Sequence, residues 1–216
     1  KAIGANPIPY TYTDDDIAAL RNGTNTNQFY DNTDWIGMFL DRKSISHHHN
    51  VSVTGGTEKV KYFSSLGYLR QEGVVKNTGF ERYNFRTNLD YTFSKIFDAS
   101  VNIGIRKENR DNPGLPADNA GWMNPFFQAI RMQPNLPMYT PDGTPVASPS
   151  EAGIVNPLAA VERSGYQRYE TNVIQGNLNL NLHVPFVPGL DITTLLAYDK
   201  SFQQWKNWQQ AYDLNI

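Results

Sequence analysis

Alternation of side chains at period two, closed by aromatic rings at both ends, limits this chain more than any other feature. Successive side chains of a strand point to opposite faces. Over residues 83–93 the odd positions read Tyr83, Phe85, Thr87, Leu89, Tyr91 and Phe93, and the even ones Asn84, Arg86, Asn88, Asp90 and Thr92. One face is apolar and the other polar. A soluble core gives no reason to put aromatic rings at both ends of an apolar row. A strand crossing a bilayer does, because rings gather at both lipid–water interfaces. The stretch also has the length of a tilted membrane-crossing strand, about 9–11 residues.

The pattern recurs. Ala99, Val101, Ile103 and Ile105 alternate with Ser100, Asn102, Gly104 and Arg106. Leu178, Leu180 and Leu182 alternate with Asn177, Asn179 and Asn181, a row of amides costly in a dry core and natural in a wet lumen. Leu190, Ile192, Leu196 and Tyr198 alternate less cleanly with Asp191, Thr193 and Asp199. Upstream, Val60, Tyr62, Leu66 and Tyr68 form one face, and Ile45, Val51 and Val53 oppose Ser46, His48 and Asn50. About six strands are predicted this way, over 44–54, 60–71, 82–93, 98–107, 171–184 and 190–201. The first, third and fifth would run inward and the others outward. Short turns at 55–59, 94–97 and 185–189 take turns with long connections, the loop layout of outer-membrane barrels. The expected class is all-β: part of an antiparallel transmembrane β-barrel whose long extracellular loops carry short helices. Tyr83, Phe85, Leu89, Tyr91, Phe93, Val101, Ile103, Leu178, Leu180 and Leu182 would face lipid. Asn84, Arg86, Asn88, Asp90, Asn102, Arg106, Asn177, Asn179 and Asn181 would face the lumen.

Composition agrees with strands. The chain is 39% hydrophobic, and its mean hydropathy of -0.53 is too polar for helical spans. A barrel strand needs an apolar residue only at every second position, so its average hydropathy resembles that of a soluble protein. A net charge of -2 offers nothing to neutralise a phosphate backbone, so nucleic acid is not an expected partner. With no cysteine, disulfides and thiolate metal sites are excluded. The start at Lys1-Ala2-Ile3 and the end at Leu214-Asn215-Ile216 both read as cut points, the expectation being a piece of a longer protein.

Two regions lack the alternation. In 1–43, Thr13 followed by Asp14, Asp15 and Asp16, a short apolar stripe and Gly23 predicts a capped helix. A calcium loop would need wider ligand spacing and a closing Glu. Region 108–170 is rich in Pro, Gly and Asn and reads as a long extracellular loop with a helix after Pro125. Strands would fill 44–107 and 171–202, and 203–216 would begin the next extracellular stretch. His47, His48 and His49 cannot converge on one ion from a strand; His47 and His49 alone make half a site. Trp122, Tyr139, Trp205 and Trp208 are candidates for stacking on sugar rings, with loop packing and interfacial anchoring as the competing role. Neither a Ser/His/Asp constellation nor a phosphate-binding glycine loop nor a carboxylate pair stands out, so neither catalysis nor a cofactor is expected.

The run His49-Asn50-Val51-Ser52-Val53-Thr54-Gly55-Gly56-Thr57-Glu58-Lys59-Val60 closely resembles the early barrel of the SusC/RagA family. So do Ser65-Leu66-Gly67-Tyr68-Leu69-Arg70, Glu81-Arg82-Tyr83-Asn84-Phe85-Arg86 and the downstream Pro134-Asn135-Leu136-Pro137. That family consists of TonB-dependent outer-membrane transporters of Bacteroidetes. The resemblance implies a 22-stranded barrel, a plug domain, a SusD-like surface lipoprotein lid and energy from TonB. It implies oligosaccharide or peptide as cargo and places Lys1 in the first extracellular loop. The alternatives are a SusC-like barrel serving as a structural part of another envelope complex, and a soluble carbohydrate-binding β-sandwich.

Overall fold

The computed structural model describes residues 13–24, 32–40, 43–114, 124–148 and 155–215. It falls into two compact units. One holds residues 42–113 and 166–208, the other 1–41, 114–165 and 209–216.

The first unit is a six-stranded sheet in sequential order: β1 (Ser46–Gly56), β2 (Val60–Glu72), β3 (Gly79–Thr92), β4 (Phe97–Pro113), β5 (Gly165–His183) and β6 (Asp191–Gln209). β1 to β5 pair antiparallel, each with the next. The β1–β2 turn closes with Thr57 N–H donating to the Val60 carbonyl at 2.6 Å. At the β5–β6 turn, Val184 N–H donates to the Leu190 carbonyl at 3.0 Å, and Gly189 takes the left-handed conformation with φ 84°.

Directly paired residues share a face, so register decides what each face carries. Val51 pairs with Leu66, Leu66 with Phe85, Phe85 with Ile105 and Ile105 with Ile174. Two residues further along Thr87 pairs with Ile103, and four along Leu89 pairs with Val101 and Val101 with Leu178. On the opposite face Asn88 pairs with Asn102 and Asn102 with Asn177, while Ser100 pairs with Asn179 and Asp98 with Asn181.

The strands are longer than the alternation predicts. β4 continues beyond Lys107 to Pro113, β5 starts at Gly165 rather than at 171, and β6 runs on to Gln209. In these extensions both faces are polar, so period two vanishes from the sequence while the pairing persists. The Arg168 guanidinium meets the Asp111 carboxylate at 3.2 Å, and Lys107 meets Glu170 at 2.9 Å. The 108–170 stretch is therefore strand at both ends, and the strand beginning at Asp191 absorbs the first part of 203–216.

The second unit packs the irregular regions around a small core. α1 (Asp14–Asn22) has Thr13 as N-cap in a capping box with Asp16, and Gly23 closes it at φ 66°. That geometry spends the Asp16 carboxylate on the Thr13 N–H and hydroxyl, at 2.8 and 2.7 Å. α2 (Trp35–Phe39), α3 (Pro125–Arg131) and α4 (Pro157–Arg163) follow. α3 and α4 begin alike: an Asn cap, a Pro in the first turn, then the helix. α2 and α4 fall outside the expected helix set, α2 because its single turn is too short for a periodic stripe. Trp35, Phe39, Ala129, Met132, Leu158, Ala159 and Val161 are buried. Asn156, 0% exposed, caps α4 and donates from Nδ2 to the Met138 carbonyl at 2.7 Å. Thr33 Oγ1 donates to the Leu136 carbonyl at 2.7 Å and Trp35 Nε1 to the Gln133 carbonyl at 2.8 Å. Segments about a hundred residues apart are thereby tied into one core.

Candidate functional site

The sheet presents two chemically distinct faces. On the apolar face, Tyr83, Phe85, Leu89, Tyr91, Val101, Ile103, Leu178, Leu180 and Leu182 align by register, and Phe93 follows β3 in the same parity. The band is bounded by rings at two levels. At one end Tyr91 and Phe93 lie 4.2 Å apart and Phe93 and Phe97 5.1 Å apart, centroid to centroid. At the other, His47 lies 5.7 Å from Tyr68 and Tyr68 lies 5.0 Å from Tyr83. His47 and His49 belong to this second ring cluster, 5.2 Å from each other. Among the described residues there is no group of three or more His, Cys, Asp or Glu that could hold a metal ion. Beyond the second ring level the same face turns ionic, with Arg70–Glu81, Lys107–Glu170 and Arg168–Asp111 pairs.

The opposite face carries Asn84, Arg86, Asn88, Asp90, Asn102, Arg106, Asn177, Asn179 and Asn181, brought together as one surface by the same register. Its charges are graded along the strands. Near the far ends of β3 and β4 stand Arg82, Arg86, Arg106 and Arg110, with Phe80 opposite Arg110, Arg82 opposite Glu108 and Asn84 opposite Arg106. At the turn ends stand Asp90, Asp98 and Asp191, with His183 held between Asp98 at 2.9 Å and Asp191 at 2.7 Å.

Three hollows follow this face. The outermost, about 450 Å³, is lined by Phe80, Glu108, Arg110, Tyr169, Gln203 and Trp205 among others. The next, about 270 Å³, lies between Arg86 and Arg106. The third, about 420 Å³, is bordered by Asn88, Asn102, Gln175, Asn177 and Asp199. Gly104 lies directly opposite Arg86, and a Cβ there would meet nothing nearer than 4.0 Å, so the missing side chain leaves room beside the guanidinium.

The aromatic candidates separate. Trp205 stacks near Tyr169 on the polar face, 20° from parallel with centroids 6.3 Å apart. Trp208 packs instead near Tyr166, which pairs with Pro113 on the apolar side, so the two tryptophans point to opposite faces and do not form one platform. Tyr139 belongs to the helical unit, where its hydroxyl donates to Glu162 and the Arg163 guanidinium sits over its ring at 5.4 Å. Trp122 lies outside the described residues. Phe80, Arg82, Arg110 and Tyr169 are absent from the candidates named by sequence. Their parity would have placed them beside Asn84 and Arg106 once β3, β4 and β5 were drawn at full length.

No family model matches the chain. It is 35% identical over 144 residues to TonB-dependent receptor P26 of Formosa agariphila, covering 65% of this chain and 13% of that protein. It is 27% identical over 194 residues to TonB-dependent receptor P3 of the same organism, covering 88% and 19%. With the TonB-dependent receptor SusC of Bacteroides thetaiotaomicron it shares 26% over 182 residues, covering 74% and 17%. The RagAB peptide importer in its open-open state superposes with a TM-score of 0.61 at 20% identity, covering 82% of this chain and 19% of that one. The closed-closed state gives 0.59 at 18% identity, with 81% and 19% covered. At such identities the likeness to RagAB is one of fold. The chain thus spans 13% to 19% of the length of these relatives. In sheet order and register the chain has the fold of a stretch of the RagAB barrel, and in sequence it is similar to TonB-dependent receptors of the SusC/RagA type.

Proposed function

We propose that the chain forms part of the wall of an outer-membrane importer that takes up oligosaccharides or peptides, with a SusD-like lipoprotein as lid and TonB as energy source. The complete barrel would have 22 strands and a plug supplied by parts of the protein outside this segment. The apolar face, including Leu178, Leu180 and Leu182, meets lipid, and the asparagine face lines the lumen. Regions 1–43 and 108–170 carry the loops outside the cell.

The observation that carries this reading is the apolar band closed by rings at two levels. From Phe97 to Lys107 a strand rises about 34 Å at about 3.4 Å per residue. Tilted by about 40°, that becomes about 26 Å of height, close to the apolar band of about 25 Å on outer-membrane barrels. An open sheet with such a face has no stable place in lipid, so the segment works only as part of a closed barrel.

Spin labels at Leu180→Cys and Asn179→Cys in the full-length receptor test the faces. The label at 180 should be relaxed by oxygen dissolved in lipid and that at 179 by a water-soluble nickel chelate; the reverse would sink the assignment. Transport is tested by deleting the gene and following growth on single glycans or peptides. Unchanged growth and uptake on every nutrient, with the lid intact, would count against import.

A further inference from the structure

Charge on the polar face is graded along the strands, from arginines at one end to acids at the other. Four guanidinium groups, Arg82, Arg86, Arg106 and Arg110, stand on two adjacent strands at even positions. The acid in their midst is Glu108, which forms an ion pair with Arg106 at 3.3 Å. Arg110 has no carboxylate within ion-pair distance among the described residues; its guanidinium lies over the Phe80 ring at 5.9 Å. Arg82 Nε is shut off from solvent and has no hydrogen-bond partner. Of these cations Arg110 lines the 450 Å³ hollow, together with Tyr169 and Trp205, 38% and 58% exposed, and Gln203; Arg82 stands directly opposite Glu108, which lines it too.

We propose that Arg82, Arg106 and Arg110, with the rings of Tyr169 and Trp205, form a subsite for acidic oligosaccharides bearing carboxylate or sulfate groups. The proposal rests on the lumenal assignment of this face and adds a ligand class to it. Flat rings 20° from parallel offer surfaces for the C–H faces of pyranose rings. Gln203 and the Glu108 carboxylate can meet hydroxyls, and the planar forks of Arg82 and Arg110 match carboxylate or sulfate in bidentate fashion. An acidic peptide would share the charge. It would look for a free strand edge or apolar side-chain pockets, whereas β3, β4 and β5 are paired on both sides here and the apolar surface of the hollow consists of ring faces. The position fits entry. The subsite lies level with and beyond the ring cluster of Tyr68 and Tyr83, whereas Asp90, Asp98 and Asp191 stand at the opposite end of the strands. An anion held by the arginines would meet acids further in, which opposes permanent retention.

The test uses the full-length receptor with its lid in detergent, titrated calorimetrically with tetragalacturonate, a sulfated tetrasaccharide, cellotetraose and an acidic tetrapeptide. The wild type should prefer the acidic glycans, and their affinity should fall as salt rises. Arg82→Gln with Arg110→Gln should weaken the acidic glycans about tenfold or more, flatten the salt dependence and leave cellotetraose unchanged. Trp205→Ala should weaken all the glycans together. Equal losses for neutral and acidic glycans would overturn the proposal, and so would tighter binding of the acidic peptide. If the arginine variants instead lower the melting temperature of the ligand-free receptor, or expose the plug to protease, the guanidinium groups hold the plug and the subsite is refuted. TonB-dependent uptake of another solute, with no glycan bound, would remove the subsite and leave the importer standing.

Discussion

Arginine scanning along β4 separates lipid from lumen by magnitude. Val101 sits four residues from Phe97 and six from Lys107, the residue opposite Tyr83, and is paired with Leu89 on one side and Leu178 on the other. Four residues at about 3.4 Å each put it about 14 Å along the strand from Phe97, or about 10 Å in height at a 40° tilt. On the proposed lipid-facing assignment this height lies close to the bilayer midplane, where an outward Arg costs about 2–4 kcal/mol. The folding equilibrium of the full-length receptor should therefore fall about 30- to 900-fold in Val101→Arg. Asn109 has the same parity but lies beyond the second ring level, paired with Glu81 and Glu170. Asn109→Arg should cost about 0–1 kcal/mol. Asn102 is one residue from Val101 but points to the other face, between Asn88 and Asn177, and Asn102→Arg should stay within about 0.5 kcal/mol. Urea titration of receptor folded into lipid vesicles, with the folded fraction read from heat-modifiable gel mobility, measures all three. A cost at Asn102 equal to or above that at Val101 would refute the face assignment. Equal costs at Val101 and Asn109 would refute the bilayer depth.

The helical unit yields three further outcomes. Asn156→Ala removes the cap on Leu158 N–H and Ala159 N–H and the donor to Met138, so the unit should lose about 1–3 kcal/mol and be cleaved faster in limited proteolysis, with the barrel intact. Thr13→Ala opens the α1 capping box, and the Asp16 amide should exchange about fivefold faster, the equivalent of about 1 kcal/mol. The Asp142 carboxylate is held below its usual range, first by the Thr140 hydroxyl and then by the Thr144 N–H and hydroxyl, at 3.4 and 3.1 Å. A depressed carboxylate stabilises its turn above the unfolded value of about 3.9 and loses that contribution as pH falls through the lowered folded value. Exchange of the Thr144 amide, corrected for its intrinsic pH dependence, should be flat at neutral pH and accelerate below about pH 4, and Asp142→Asn should remove that step.

How much was legible depended on whether the two faces of a strand differ. β3 shows itself because Tyr83, Phe85, Leu89 and Tyr91 alternate with Asn84, Arg86, Asn88 and Asp90. The ends of β4 and β5 do not, because Asp111 and Arg168 are as polar as their neighbours Arg110 and Gln167; only their pairing marks them as strand. The outer subsite was hidden for the same reason, since Arg110 and Tyr169 fell within a stretch read as loop. α1 was legible from its caps alone. α4 carries the same Asn–Pro start as α3, yet its helix depends on burying Leu158, Ala159 and Val161 against segments far away in sequence. Trp205 and Trp208 are both stacking candidates by sequence, and strand parity separates them.

The register also limits what could surround the sheet. Asn88, Asn102 and Asn177 stand level on three adjacent strands, and Asn179 and Asn181 continue the row. Sealing such amides in a dry core costs about 1–3 kcal/mol for each group left unpaired. Among these five side chains, one hydrogen bond to another side chain is seen, from Asn181 Nδ2 to Asp98 at 2.8 Å. A second sheet laid on this face, as a soluble sandwich requires, would have to supply partners for nearly all of them. The same sandwich laid on the other face would cover Val51, Leu66 and Phe85, which are 72%, 60% and 38% exposed, and leave the asparagines wet. It would also need to accommodate rings concentrated at two levels with Thr87, Leu89, Val101 and Ile103 between them. A uniform core has no use for that stratification, whereas a bilayer has two interfaces and one apolar interior. One face that needs water and another that needs stratified hydrocarbon are satisfied together by a barrel wall.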